Sequence, residues 1–344
     1  MVPARGVDRQ MKIGIMSCYV ETLRKSGVKI QGIMWRDALV SRGHDARLIN
    51  YWDDTDFASF DAFIILRWTS SLKNMLGDLK VFRVPLISAP VFDPNKSITA
   101  YRLAAKYGHF SPLHMSTVTH DYYRAVKDID AFFARSEYEK NYLAKCFDIP
   151  EQKIKIVPLS FRIEPAEKMP EHKENFCFHV SNLTSGYKNV ARIIAAAKKY
   201  NFPLMLGGPV NGEQGQKWLD EQIAGSENIK YLGILSDEEL RNTYLRARVF
   251  ALPSLWEGVG MVALEAASCG CEVVMTNVGA PKSYYAGLAE LVNPLSVDEI
   301  GRAVKNLLDG TKHHQPELMT HIKTNYSFAN CARLLEEAVA GVAE

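Results

Sequence analysis

The chain has 344 residues, 47% of them apolar and 23% charged, with a formal net charge of +2. That profile excludes disordered and collagen-like chains. At roughly 100–200 residues per domain, the length predicts two domains with substantial cores rather than a small stapled scaffold. The six cysteines are scattered, and the one close pair, Cys269-Gly270-Cys271, has neither CxxC spacing nor a histidine at zinc-site distance. Buried free thiols in a reducing compartment are the plain reading. No stretch approaches the ~20 apolar residues of a membrane span, and the N-terminus lacks a signal-peptide core. The expected location is therefore cytoplasmic, with the inner face of a membrane as a peripheral alternative.

Residues 1–10 are polar and read as a leader or frayed end. From Met11 onward short apolar runs alternate with helical periods, which predicts parallel strands joined by crossover helices. Strands are expected at 12–16, 45–49, 62–66, 85–88, 131–134 and 154–157, with helices such as 32–42, closed by Gly43, and 137–146. Leu72, Met75, Leu76, Leu79 and Phe82 have helical spacing beside Lys73, Lys80 and Arg83. That stripe suits either a lipid surface or the core face of a sheet-flanking helix.

The stretch 158–175 carries Pro158, Pro165 and Pro170 among charged residues, which is linker chemistry. Domains are expected at 11–165 and 166–327, with a final helix at about 328–344 packing back on the first. The second series predicts strands at 176–180, 204–207, 229–232, 249–252, 272–276 and 289–292. Helices are expected at 189–200, 237–247 and 262–269, the second opened by Ser236 and Glu239 at capping-box spacing. Residues 1–164 hold 24 Lys and Arg against 18 Asp and Glu, and the remainder 17 against 21. A basic first half favours an anionic or membrane-surface partner; solvated helix faces account for it equally well. Aromatics are not interleaved with basic residues as in a single-strand groove, so no nucleic-acid partner is expected.

The densest chemistry lies in Ala251-Leu-Pro-Ser-Leu-Trp-Glu-Gly-Val-Gly-Met-Val-Ala-Leu-Glu-Ala266. A strand ends at Pro253, a loop follows, and a helix opens near Met261. Gly258 and Gly260 permit close backbone approach to a ligand, and the amides of Val259, Gly260, Met261 and Val262 at a helix start suit a phosphate. Glu257 can accept hydrogen bonds from sugar hydroxyls, and Glu265 from two vicinal hydroxyls of a ribose.

Glu257 and Glu265, seven residues between them and embedded in that run, resemble the E-x7-E signature of retaining GT-B-fold glycosyltransferases of family four, the glycosyl transferases group 1. The stretch Tyr231-Leu-Gly-Ile-Leu-Ser-Asp-Glu-Glu-Leu240 resembles the family's segment beside the nucleotide base, which places Ile234 there. Glu272-Val-Val-Met-Thr-Asn-Val-Gly-Ala-Pro281 and Leu291-Val-Asn-Pro294 are similar to the strands that follow. The likeness spans about 176–294. It thins in the first half to Ala134-Arg-Ser136 and Ile154-Lys-Ile-Val-Pro158.

The resemblance implies an α/β protein of the GT-B fold, two Rossmann-like doubly wound parallel-sheet domains facing a cleft. It implies transfer of a sugar from a nucleoside diphosphate sugar to a hydroxyl acceptor, a carbohydrate or glycolipid, with retention and with neither cofactor nor metal. The setting it implies is polysaccharide or glycolipid assembly. Lys188 matches the lysine that neutralises the donor diphosphate, and with Glu257 makes the implied catalytic pair; Asn182 stands where the family has an arginine. Ser26-Gly27 replaces a loop where two glycines are common. The histidine frequent after the fourth strand is missing from Ser88-Ala-Pro-Val-Phe-Asp93, leaving His109, His114 and His120 as substitutes, with His109 the acceptor-side candidate. Arg67, at the carboxyl end of the third strand, is a candidate acceptor contact.

These departures keep a catalytically weak GT-B binding or scaffold protein as an alternative. A dehydrogenase would show G-x-G-x-x-G after a strand, which the chain lacks, and epimerases sharing the fold are not expected to carry the E-x7-E loop.

Overall fold

A computed structural model describes residues 9–18, 27–110, 115–285 and 287–343. It divides into two compact units: one ends at Leu159 and resumes at Phe328, and the other is Ser160–Ser327.

The first unit runs β1 (Lys12–Ser17), α1 (Gly27–Ser41), β2 (Asp45–Leu48), β3 (Ala62–Leu66), α2 (Leu72–Leu79), β4 (Leu86–Ala89), α3 (Ile98–Tyr107), β5 (His109–Phe110), β6 (Met115–Ser116), α4 (Val118–Ala125), β7 (Ala131–Ala134), α5 (Glu137–Phe147) and β8 (Ile154–Ile156). Its six-stranded sheet has the order β2-β1-β3-β4-β7-β8, all parallel. Every residue of β3 is buried, as expected of a parallel strand covered on both faces. Helix α1 begins five residues ahead of the expected start; its buried face already includes Val28 and Gln31. Leu72, Leu76 and Leu79 of α2 pack into the cluster of Phe63, Ile65 and Phe132, so the basic-flanked stripe is a core face and not a lipid-binding one. β5 and β6 form a two-residue antiparallel ribbon that the sequence pattern does not announce.

The second unit runs β9 (Glu174–Val180), α6 (Val190–Tyr200), β10 (Leu204–Gly207), α7 (Gly212–Ile223), β11 (Ile229–Tyr231), α8 (Asp237–Arg246), β12 (Ala247–Leu252), α9 (Met261–Ser268), β13 (Glu272–Thr276), α10 (Pro281–Tyr285), β14 (Glu290–Val292), α11 (Val297–Leu308) and α12 (Glu317–Tyr326). Its sheet has the order β11-β10-β9-β12-β13-β14, also all parallel. Ser236 and Glu239 form the expected capping box on α8. The last helix, α13 (Phe328–Ala343), belongs to the first unit, where it packs along α1.

Among the described residues no helix is long and apolar enough to cross a membrane.

Candidate functional site

In the second sheet the strand order reverses between β9 and β12, and crevices at such reversals, beyond the carboxyl ends of the strands, are where open α/β sheets bind ligands. The loop leaving β9 carries Asn182 and Lys188; the loop leaving β12 carries Glu257. Sixty-nine residues apart in sequence, Lys188 and Glu257 meet here: Lys188 Nζ donates to Glu257 Oε2 at 2.9 Å, with both side chains mostly shielded from solvent. The two loops are joined by Leu255 N donating to Tyr187 O at 2.8 Å. Asn189 reinforces them from below, its side-chain amide bridging the carbonyls of Pro253 and Pro294. It adopts a left-handed backbone (φ 61°) that asparagine tolerates better than most residues.

The Glu257 backbone is pinned on the far side as well. Its N–H donates to Val278 O and its carbonyl accepts from Ala280 N, forming a parallel bridge with Gly279. Gly279 has φ 104°, and a Cβ there would collide with the Glu257 carbonyl, so this close approach requires glycine. Gly260 (φ 70°) is the N-cap of α9 and has no side chain to cap the first turn, leaving those amides without that partner.

Burial opposes the charge of Lys188, but Glu257 and the Tyr187 hydroxyl outweigh it and hold the ammonium above the ordinary lysine range. His179, fully buried in β9, is pushed down to about 4 by burial. Its Nδ1 donates to Ala251 O at 2.8 Å, so its Nε2 accepts from Ser181 Oγ, and the ring spans the two strands as a neutral tautomer. Glu265 is buried too. Its Oε1 accepts from Arg162 N and pairs with Arg162 Nε at 3.2 Å, and its Oε2 accepts from Tyr244 OH at 3.4 Å. Burial pushes the Glu265 carboxyl up to about 7, with Arg162 pulling the other way.

Asn182 turns on its own loop, its Oδ1 accepting from Thr184 N and Thr184 Oγ1. Ile234 is exposed, Val259 is buried, and Gly258, Met261 and Val262 are partly so. In the first unit Gly27 opens α1, and Arg67 follows β3 with a left-handed backbone (φ 68°). His109 is exposed on β5, its ring stacked 5.1 Å from that of buried His120, whose Nδ1 donates to Ala105 O. Ser26 and His114 lie outside the described residues. Among the described residues no group of three or more His, Cys, Asp or Glu could hold a metal ion.

Several residues at this edge were not singled out by sequence reasoning. Tyr187 and Trp256 immediately precede Lys188 and Glu257, and their rings stack at 5.5 Å and 24°. The Tyr285 hydroxyl and Ser254 Oγ are buried without a hydrogen-bond partner among the described residues. Adjacency to the two ionic residues could have flagged the aromatic pair; nothing local marks Tyr285.

At the strand reversal of an open parallel sheet, a cationic and a carboxylate side chain are thus brought together beside the start of α9. Residues 161–325, within the second unit, match the family described as glycosyl transferases group 1. Among curated proteins, O-antigen chain mannosyltransferase B of Escherichia coli is 27% identical over 183 residues, covering 48% of each chain. A GDP-mannose-dependent monoacylated alpha-(1-6)-phosphatidylinositol monomannoside mannosyltransferase of Corynebacterium glutamicum is 35% identical over 92 residues, 24% of each chain. The match thus spans about half the length of the first of these relatives and less of the second. Of solved structures, the lipopolysaccharide outer core galactosyltransferase WaaB aligns with a TM-score of 0.69 at 16% identity over 96% of this chain and 99% of its own. A glycosyltransferase from Rickettsia africae aligns at 0.67 and 16% over 97% and 99%. These likenesses establish the GT-B fold.

Proposed function

We propose that the chain is a retaining glycosyltransferase that moves a sugar from a nucleoside diphosphate sugar to a hydroxyl of a carbohydrate or glycolipid acceptor, in polysaccharide or glycolipid assembly. The observation that carries this reading is the Lys188–Glu257 pair at the β9/β12 reversal. Lys188 and the first amides of α9 take the diphosphate, stabilising the charge that develops as it leaves. Glu257 holds hydroxyls of the transferred sugar, and Glu265 the ribose, with Ile234 beside the base. The acceptor oxygen attacks the anomeric carbon from the face the diphosphate leaves, and its proton passes to the departing phosphate oxygen. Catalysis then rests on positioning and electrostatics, without metal or cofactor. On the acceptor side the reading assigns Gly27, Arg67 and His109, and it places the protein in the cytoplasm or at the membrane's inner face.

The mannosyltransferase names among the relatives make GDP-mannose the first donor to try. Purified protein is incubated with GDP-mannose, UDP-glucose and UDP-galactose, and both thermal shift and nucleoside diphosphate release are recorded. A ligand that binds the native state raises its melting temperature. A shift with one donor and diphosphate release on adding a glycan or glycolipid acceptor support the reading; no shift with any donor refutes it. A second reading, a donor-binding protein without turnover, is favoured by Asn182, whose side chain closes its own turn in the place of the family's arginine. A thermal shift without release under any acceptor would select it.

A further inference from the structure

Tyr187-Lys188 and Trp256-Glu257 form two matching dipeptides on facing loops: the ionic residues pair, and the aromatic residues before them stack. The Lys188 ammonium lies 4.8 Å from the centre of the Tyr187 ring and 2.9 Å from Glu257 Oε2, so ring, cation and carboxylate follow one another within a single sugar's reach. Tyr187 is 40% exposed, and Trp256 is partly exposed. Neither ring belongs to the core cluster built around α6 and α11. Holding the loops together does not require them, since Leu255 N–Tyr187 O and the Asn189 bridges already do so.

We propose that Tyr187 and Trp256 form the aromatic wall of the subsite for the transferred hexose, which rests on the donor reading given above. A pyranose ring presents C–H groups on its faces and hydroxyls around its rim. An aromatic surface takes the faces, while a neighbouring carboxylate takes rim hydroxyls, and Trp256 and Glu257 supply the two from adjacent positions. The nucleoside diphosphate, held by Lys188 and the α9 amides, gains nothing from the wall. The pair therefore discriminates between a nucleotide sugar and its nucleoside diphosphate.

The test is calorimetric titration of GDP and GDP-mannose, and of UDP, UDP-glucose and UDP-galactose, into the wild type, Trp256→Leu, Tyr187→Leu and Trp256→Phe, with melting temperatures recorded for each. For the base that binds, Trp256→Leu is expected to keep nucleoside diphosphate affinity within about twofold, whereas Tyr187→Leu, which also strips the ring from beside the Lys188 ammonium, weakens both ligands but the sugar conjugate more. Both leucine variants should lose about five- to tenfold in affinity for the sugar conjugate, the range set by aromatic packing energies. Trp256→Phe should recover most of the loss. Unchanged affinity for both ligands overturns the wall, and so does an equal loss for both, which would make the stack a loop support. If the wild type binds none of the five ligands, the donor reading fails and the wall with it; if it binds them and the variants do not discriminate, only the wall fails.

Discussion

At the scale of single residues, Glu265 couples the site to pH. Its carboxyl sits at about 7 in the folded chain against 4.5 as the ordinary glutamate value, so the folded state holds the proton more tightly than the unfolded one. The stability it contributes is complete below about pH 4.5 and is lost as pH rises through 7. Glu265→Gln cannot titrate and mimics the protonated form. Its melting temperature relative to wild type should therefore climb between pH 5 and 8, and a flat difference across that range would show that the buried carboxyl does not carry the proton. His179 acts in the opposite sense over about pH 4 to 6.5, where its depressed value makes the fold lose stability as pH falls. Subtracting the wild-type profile cancels that contribution. Tyr285 gives a second prediction. Its hydroxyl is buried and has no partner among the described residues, a burden of about 1–3 kcal/mol. Tyr285→Phe should raise the melting temperature, and a fall in circular-dichroism melts would mean that the hydroxyl has a partner after all. Glu257 was legible because glutamate, glycines and a helix start lie together in one run. Tyr285 was not, because its neighbours Glu257 and Tyr326 come from distant parts of the sequence.

At the scale of elements, the site depends on backbone stitching between the loops after β12 and β13. Gly279 permits the Glu257 carbonyl to approach Ala280 N, and it does so with φ 104°. Gly279→Ala adds both a left-handed backbone penalty of roughly 1–2 kcal/mol and a collision with Glu257. The expected result is a lowered melting temperature together with a turnover loss greater than the loss in nucleoside diphosphate affinity, because Gly279 holds the Glu257 backbone directly while Lys188 stands on the loop after β9. Equal losses in turnover and affinity would place Gly279 in general folding rather than in setting Glu257. The strands of both sheets were legible because parallel strands covered on both sides read as apolar runs, as in Ala62–Leu66 and in Val273, Val274 and Met275 of β13. The start of α1 was not, because Gln31 and Gly32 occupy buried positions where the apolar period calls for larger hydrophobic side chains. The meeting of Lys188 with Glu257 follows from strand order, and periodicity carries no information about which strands become neighbours.

At the scale of the whole molecule, the chain leaves its first unit at Leu159, builds the second and returns for α13, so the first unit closes only when the last residues are in place. The return is fastened by Glu336, which is 4% exposed. It accepts from Arg42 Nε at 2.8 Å and from His44 Nε2 at 3.1 Å. His44 Nδ1 accepts from Met11 N, which fixes the ring proton on Nε2 and ties the start of β1 to the same fastening. Replacing Glu336 with alanine leaves a buried imidazole N–H without its partner and frees an arginine that is more than a third exposed. The imidazole is the larger cost, about 1–3 kcal/mol, while the exposed guanidinium is recovered by water. That cost falls within the first unit. Calorimetry of Glu336→Ala should show one unfolding transition moving down while the transition raised by bound nucleotide stays in place, because Glu336 and its partners belong to the first unit and Lys188 and Glu257 to the second. A shift of both transitions together would mean that the units unfold as one cooperative body, in which case the second unit could not be tested as a donor-binding domain independently of the first.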